Sequence, residues 1–254
     1  MSIGIFITAR LGSTRLAQKH LREVLGKPIM SYLLIRIKNE FKKETDNAQA
    51  VVSIVTGNRE NNEKLLTSFP GMNVFFGDDD NIPKRHLEAA RHYQVDAIVS
   101  VDGDDILCSP EAMRSVYELL QKQAPLVKTE GLPLGLNAWG YTTAFLEQSL
   151  AQADYKVLET GWGRIFDNSK MISIKKNHDT GELLRFTLDY EEDFLFFRKI
   201  ISSENFTIDI NDRDLIELVN KKQIFLENER IAKEYYINFN KNIALEEKKK
   251  TENK

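Results

Sequence analysis

Three stretches of this chain carry residue types that can do chemistry together. The first is Ala9-Arg10-Leu11-Gly12-Ser13-Thr14-Arg15, with Lys19 four residues further on. It combines a glycine, two hydroxyls and three cations, a composition suited to cradling a polyphosphate. Glycine lets the backbone approach closely, free N–H groups face phosphate oxygens, and Arg and Lys supply counter-charge. The stretch contains neither G-x-x-x-x-G-K-[ST] nor G-x-G-x-x-G, so it is not a Walker loop and lacks the dinucleotide fingerprint. The second stretch is Asp102-Gly103-Asp104-Asp105. Its three carboxylates within four residues repel one another and call for a counter-ion. Mg²⁺ suits them, because it takes one or two carboxylates and completes its shell with water and substrate phosphates. Asp and Gly also make solvated turns, so the stretch alone leaves both readings open. The third is Asp189, at the end of Leu184-Arg185-Phe186-Thr187-Leu188. There a carboxylate either caps the following helix or serves as a second metal ligand.

These groups need a scaffold, and the hydrophobic pattern supplies one. Apolar runs at Ile3–Thr8, Ala50–Thr56, Met72–Phe76 and Ala97–Val101 read as strands. They alternate with helical patterns at Pro28–Phe41, Asn61–Ser68, Ile82–Tyr93 and Pro110–Gln121, the last with Ser109 as N-cap and Pro110 at the first helical position. Four strand-then-helix units in succession predict an α/β fold with a mostly parallel, doubly wound sheet. Ligands of such sheets bind at the carboxyl ends of the strands, which places Arg10, Thr56, Gly77 and Asp102–Asp105 along one edge. The second half predicts a strand at Leu126–Thr129, a helix at Thr142–Ala151, and two strands, Met171–Lys176 and Leu183–Leu188, around a turn at Asn177–Gly181. Helices are expected over Glu191–Ser203, Asp212–Gln223 and Glu227–Phe239. We expect a single domain over residues 1–240 with a small inserted hairpin or lobe at about 130–180, followed by a charged tail over 241–254.

The chain has 254 residues, 42% hydrophobic and 29% charged, with a formal net charge of −3. That balance suits a globular protein and gives no basic footprint for nucleic acid. The single cysteine, Cys108, excludes an intramolecular disulfide and a cysteine-based zinc cluster. With no leader-like start and no apolar stretch long enough to span a bilayer, a cytoplasmic location without membrane attachment is expected. The four histidines, His20, His86, His92 and His178, show no metal-ligand spacing and read as packing or surface residues.

Several segments in order resemble the CMP-sugar synthetases, which include acylneuraminate and Kdo cytidylyltransferases. The loop Ala9-Arg10-x-Gly12-Ser13-Thr14-Arg15-Leu16-x-x-Lys19 is similar to their signature loop. Gly77-x-x-Asp80-x-x-x-x-Arg85, Gly103-Asp104-Asp105 and Leu184–Phe194 resemble later motifs, most closely those of the spore-coat polysaccharide F-type branch. The chain departs from that pattern at Ala17-Gln18, at Asn137 and Trp139, and over Glu159–Arg164.

The resemblance implies a Rossmann-like nucleotidyltransferase fold and a Mg²⁺-dependent reaction. In it a sugar-acid hydroxyl attacks the α-phosphorus of CTP, yielding a CMP-sugar and pyrophosphate for surface glycan biosynthesis. It implies that Arg10, Gly12, Ser13, Arg15 and Lys19 hold the triphosphate, and that Arg15, Lys19 and Asp104 act at the reacting centre. It further implies that Thr56, Asn58, Asp80 and Arg85 lie near the nucleotide, that Asp104 and Asp189 hold the metal, and that the enzyme is a homodimer. Arg164, in Gly161-Trp162-Gly163-Arg164, pairs with an acceptor carboxylate or belongs to a structural turn. Arg185 faces the site or forms a structural ion pair. Two other readings use the same residues: a nucleotidyltransferase with another base or a phosphorylated or phosphonate acceptor, and a catalytically silent nucleotide-binding protein.

Overall fold

A computed structural model describes residues 1–153, 157–176, 184–235 and 241. Seven strands form one sheet: β1 (Ile3–Thr8), β2 (Ala50–Thr56), β3 (Asn73–Phe76), β4 (Ala97–Asp102), β5 (Leu126–Glu130), β6 (Trp139–Thr142) and β7 (Met171–Lys175). Their spatial order is β3-β2-β1-β4-β6-β5-β7. All neighbouring pairs are parallel except those of β6, which runs against both β4 and β5. This is the mostly parallel α/β sheet that the alternating pattern predicts.

The main helices are α1 (Met30–Glu40), α2 (Ile82–Tyr93), α3 (Pro110–Gln121), α4 (Thr143–Gln152), α5 (Glu191–Ile201) and α6 (Asp212–Lys221). They cover both faces of the sheet. Ile3, Ile5 and Ile7 of β1 enter a core shared with α1, α3, α5 and α6, while Phe6 enters a second core with Leu87 and Ala90 of α2 and Leu146 of α4. Burial on both faces explains why β1 and β4 read as unbroken apolar runs rather than alternating ones. The bounds of α2 and α3 agree with the sequence reading because each start carries a cap. Asn81 accepts from the Lys84 N–H at 2.9 Å and Ser109 from the Ala112 N–H at 3.0 Å, with Pro83 and Pro110 in the first turns. Such caps contribute about 1 kcal/mol each.

Three expectations are corrected. The single helix at Asn61–Ser68 is two short helices, Arg59–Asn62 and Lys64–Ser68, the first capped by Asn58. The strand at Leu183–Leu188 does not form. Residues 184–189 run without a ladder, apart from an isolated parallel bridge between Leu134 and Arg185. The reason is local. Gly135 adopts φ +90°, and a Cβ there would lie 2.1 Å from the Phe186 carbonyl oxygen, so the two chains touch at one point instead of pairing. The last helix begins at residue 229, after a 3-10 turn at Ile224–Glu227, and the described part ends at Tyr235. Within the span of about 130–180, where a small inserted lobe is expected, β6 and β7 join the main sheet and α4 follows β6. The expected turn at Asn177–Gly181, the end of the last helix at 236–239, and the charged tail lie outside the described residues.

Candidate active site

The parallel register sets Thr8, the last residue of β1, opposite Asp102, the last of β4. The basic loop and the acidic tip therefore leave the sheet side by side. Gly103 makes the junction tight. Its N–H donates to the Thr8 carbonyl at 2.8 Å, and a Cβ there would lie 2.8 Å from Ala9 Cβ. Beyond β1 the loop is pinned by the Leu11 N–H donating to Asn62 at 2.9 Å and by Gln18 in the left-handed region, φ 47°. The chain then turns through the short 3-10 helix Lys19–Leu21, so that Lys19 and His20 point back toward the sheet.

A cleft of about 590 Å³ opens over this edge. Lys19, only 6% exposed, sits between two carboxylates. Its ammonium donates to Asp104 at 2.6 Å and to Asp189 at 3.1 Å. Arg15 donates to the same Asp189 oxygen at 2.7 Å, and His20 Nε2 donates to the other oxygen of Asp104 at 2.8 Å. Burial alone would lower the Lys19 ammonium, but Asp104 and then Asp189 outweigh it and hold the pKa above its ordinary value. Asp104 shows the reverse balance: burial would raise it, and the Lys19 charge with the His20 bond holds it well below the usual carboxylate range. Asp102 lines the cleft and is itself solvent-exposed. Desolvation by the protein atoms around it, reinforced by the Asp104 charge, pushes it up to about 7.

Asp189 is positioned from behind. Arg185, buried, donates to Asp189 at 2.9 Å and to Asp193 at 3.1 Å. Asp193 in turn accepts from the backbone N–H groups of Asp189 and Tyr190 at 2.9 and 3.0 Å, which starts α5. The Leu188 N–H donates to the Asp104 carbonyl at 2.9 Å, tying the 184–189 segment to the acidic tip without strand pairing.

Of the residues singled out in the sequence, Arg10, Gly12, Ser13, Arg15, Lys19, Arg85, Asp104 and Asp189 line this one cleft. A Cβ at Gly12 would meet nothing within 4 Å, so the loop leaves open space beside its backbone. Thr56, Asn58, Asp80, Arg164 and Arg185 lie outside the lining. Thr56 is fully buried, Asn58 donates to Asp79 and caps a helix, and the Asp80 carbonyl accepts from Leu158. Arg164 donates to the Thr160 carbonyl within its own turn. Arg85, although in the wall, donates to the carbonyls of Asp78 and Asp79 at 2.6 and 2.8 Å and so shapes the loop before α2.

Sequence reading did not single out as site residues Thr8, Lys128, Trp139 or Glu159 of the wall, nor His86 and Tyr141, which are fully buried and do not line the cleft. Thr8 Oγ1 lies 2.7 Å from His86 Nε2, and His86 Nδ1 lies 2.6 Å from the Tyr141 hydroxyl. Burial, with the Arg85 charge adding to it, lowers His86 to about 3, so the ring is neutral. Trp139 and Trp162 pack at 4.4 Å between ring centroids with their planes tilted by 43°, and Lys128 is paired with Trp139 across the sheet, its ammonium forming no ion pair or hydrogen bond among the described residues. Glu159 faces Arg10 at 2.5 Å. No sequence spacing joins these residues: the reversal of β6 sets Trp139 opposite Lys128, and the bonds of Leu158 to Asp80 and Ile82 hold the segment that carries Glu159.

A doubly wound sheet whose first loop and fourth strand tip set fixed cations against carboxylates in one cleft has the working parts of a nucleotidyltransferase. Residues 4–251 match the cytidylyltransferase family, and the chain belongs to that family. It is 29% identical over 226 residues to an uncharacterized protein of Methanocaldococcus jannaschii, covering 86% of this chain and 90% of the relative. It is also 29% identical over 142 residues to a 3-deoxy-manno-octulosonate cytidylyltransferase of Aeromonas salmonicida, covering 53% of this chain and 52% of that enzyme. Its fold is similar to that of a cytidylyltransferase from Leptospira borgpetersenii serovar Hardjo-bovis, with a TM-score of 0.74 at 24% identity over 89% of this chain and 97% of the other. No helix among the described residues is long and apolar enough to cross a membrane.

Proposed function

We propose that this protein transfers CMP from CTP to the hydroxyl of a sugar acid and releases pyrophosphate. The observation that carries the reading is Lys19 held between Asp104 and Asp189, with Arg15 at its side, in one cleft beside an open glycine loop. The similarity to a 3-deoxy-manno-octulosonate enzyme over half its length favours a keto-deoxy sugar acid as acceptor.

The donor set fits a divalent cation. Asp104 and Asp189 are oxygen ligands already gathered around one positive charge, and Asp102 adjoins them with no hydrogen bond from its side chain among the described residues. Among the described residues no three His, Cys, Asp or Glu side chains form a metal cage. Two carboxylates completed by phosphates and water therefore match the habit of Mg²⁺. Bound there, Mg²⁺ supplies charge neutralisation at the α-phosphate.

The chain's own residues do the rest. Backbone N–H groups of Gly12 to Thr14 and the Arg15 guanidinium bind the phosphates. Lys19 exchanges its carboxylate partners for the charge that grows on the departing pyrophosphate. Fixed cations of this kind accelerate transfer without any covalent intermediate on the protein. Arg185 keeps Asp189 in place rather than touching substrate. Lys128 and the Trp139–Trp162 wall form the acceptor end, where the ammonium faces the sugar-acid carboxylate and the rings pack against the sugar.

Pyrophosphate release from each of the four nucleoside triphosphates, with Mg²⁺ and a panel of sugar acids, tests the proposal. Acceptor-dependent release from CTP is expected. Release that needs no sugar acid, or none from CTP with any acceptor, refutes it.

A further inference from the structure

The end of the cleft nearest α2 holds two polar side chains that the phosphate chemistry leaves unused. Arg10 follows β1 directly, two residues before Gly12. Glu159 lies across the cleft, on a segment fixed to the start of α2: the Leu158 N–H donates to the Asp80 carbonyl at 2.8 Å, and the Ile82 N–H to the Leu158 carbonyl at 3.1 Å. The Arg10 guanidinium and the Glu159 carboxylate meet at 2.5 Å through one nitrogen and one oxygen. The other Glu159 oxygen and the remaining Arg10 N–H groups have no partner among the described residues. The Glu159 side chain is 22% exposed and that of Arg10 51%, and both residues line the cleft. The pair therefore presents an acceptor next to a fork of donors.

That pattern selects one base. A cytosine edge offers an amino donor at N4, then acceptors at N3 and O2, which complement a carboxylate oxygen followed by guanidinium N–H groups. Uracil puts O4, an acceptor, against the carboxylate and a donor at N3 against the guanidinium. Guanine reverses the pattern in the same way. Adenine matches the first two positions and lacks the third. Because Arg10 and Gly12 share one loop, a base held here leaves its phosphates over Gly12–Arg15.

We propose that the Arg10–Glu159 pair reads the Watson–Crick edge of cytosine and is the base-selecting element of this site. This rests on the reading that the cleft takes a nucleoside triphosphate. Burial raises the Glu159 carboxyl despite Arg10 beside it, which marks an acceptor short of donors.

The test uses the full chain and the substitution Glu159→Gln, whose amide can turn an N–H toward uracil O4. CMP and UMP binding by calorimetry, and kcat/KM for CTP, UTP and ATP in pyrophosphate release, are measured for both proteins. The preference for cytosine over uracil is expected to fall by about ten- to a hundredfold, through weaker cytidine and stronger uridine binding. Arg10→Lys, which keeps the charge and loses the fork, is expected to weaken CMP more than UMP. Equal losses for both nucleotides would show that the pair is only a strut across the cleft and overturn the proposal. So would a wild-type protein that binds CMP and UMP alike, whatever the fate of the variants. Absence of pyrophosphate release alongside selective CMP binding would refute the transferase reading and leave this one standing.

Discussion

Replacing Lys19 by Met removes the positive charge at the centre of the carboxylate cluster while keeping most of the side-chain volume. Deleting one partner of a buried pair costs about 3–5 kcal/mol. Here Asp104 retains His20, and Asp189 retains Arg15 and Arg185, while the Asp104 side chain is 28% exposed. A cost at or below the lower end of that range, about 2–3 kcal/mol, is therefore expected at pH 7. With a urea m-value near ~3 kcal/mol/M for a chain of this length, the unfolding midpoint falls by about 1 M. The pH dependence gives a second check. Lys19 and His20 hold Asp104 below its unfolded pKa. The stability this contributes is present above the unfolded carboxylate pKa and is lost as pH falls toward the folded one. Lys19→Met is thus expected to flatten the wild-type loss of stability below about pH 4. In the transferase assay the same change removes a fixed charge from the leaving group, a loss of about 10²–10³ in kcat. A midpoint within about 0.2 M of wild type at pH 7, with unchanged acid sensitivity, would refute the account of the cluster.

Three further outcomes are expected. Asp104→Ala abolishes acceptor-dependent pyrophosphate release while circular dichroism and the unfolding transition show an intact fold; near-normal turnover would remove Asp104 from the reaction. His86, buried and lowered to about 3, resists protonation that the unfolded chain accepts near its ordinary value. Stability therefore falls as pH drops below about 6.5, by about 2 kcal/mol at pH 5, and His86→Gln abolishes that slope in urea titrations at the two pH values. Gly103→Ala drives a Cβ to 2.8 Å from Ala9 and 3.0 Å from the Thr8 carbonyl oxygen, and is expected to lower Tm by about 3–10 °C in calorimetry.

The first half of the fold was legible because local and long-range signals agree there. Apolar strands buried on two faces, and helices opened by Asn81 or Ser109 with a proline in the first turn, leave one arrangement. The second half hid its structure in features that sequence periodicity does not carry. β6 is four residues long, and its Gly140 sits where a Cβ would come within 2.5 Å of the Ile98 carbonyl oxygen, so its signal is close approach rather than alternation. Leu184–Leu188 has a strand's composition, yet its backbone groups bond to Leu134 and Asp104 at separate points. The charged core of the site was readable, since Arg15, Lys19, Asp104 and Asp189 stand out by type and place. The walls were not: Glu159 and Lys128 look like ordinary surface charges until the chain folds, and His86 joins Thr8 to Tyr141 from separate strands.

The one reversed strand has a wider consequence. In a wholly parallel sheet Trp139, as the first residue of its strand, would sit at the opposite rim from the strand tips. Reversal brings it level with Ser100 near the end of β4 and with Lys128 on β5. The molecule thereby divides its labour along a seam, one side fixed by the shared charges of the first loop and the other built from the connection that enters β6. Side chains in that connection can therefore be exchanged while the ion pairs among Arg15, Lys19, Asp104 and Asp189 on the first side stay in place.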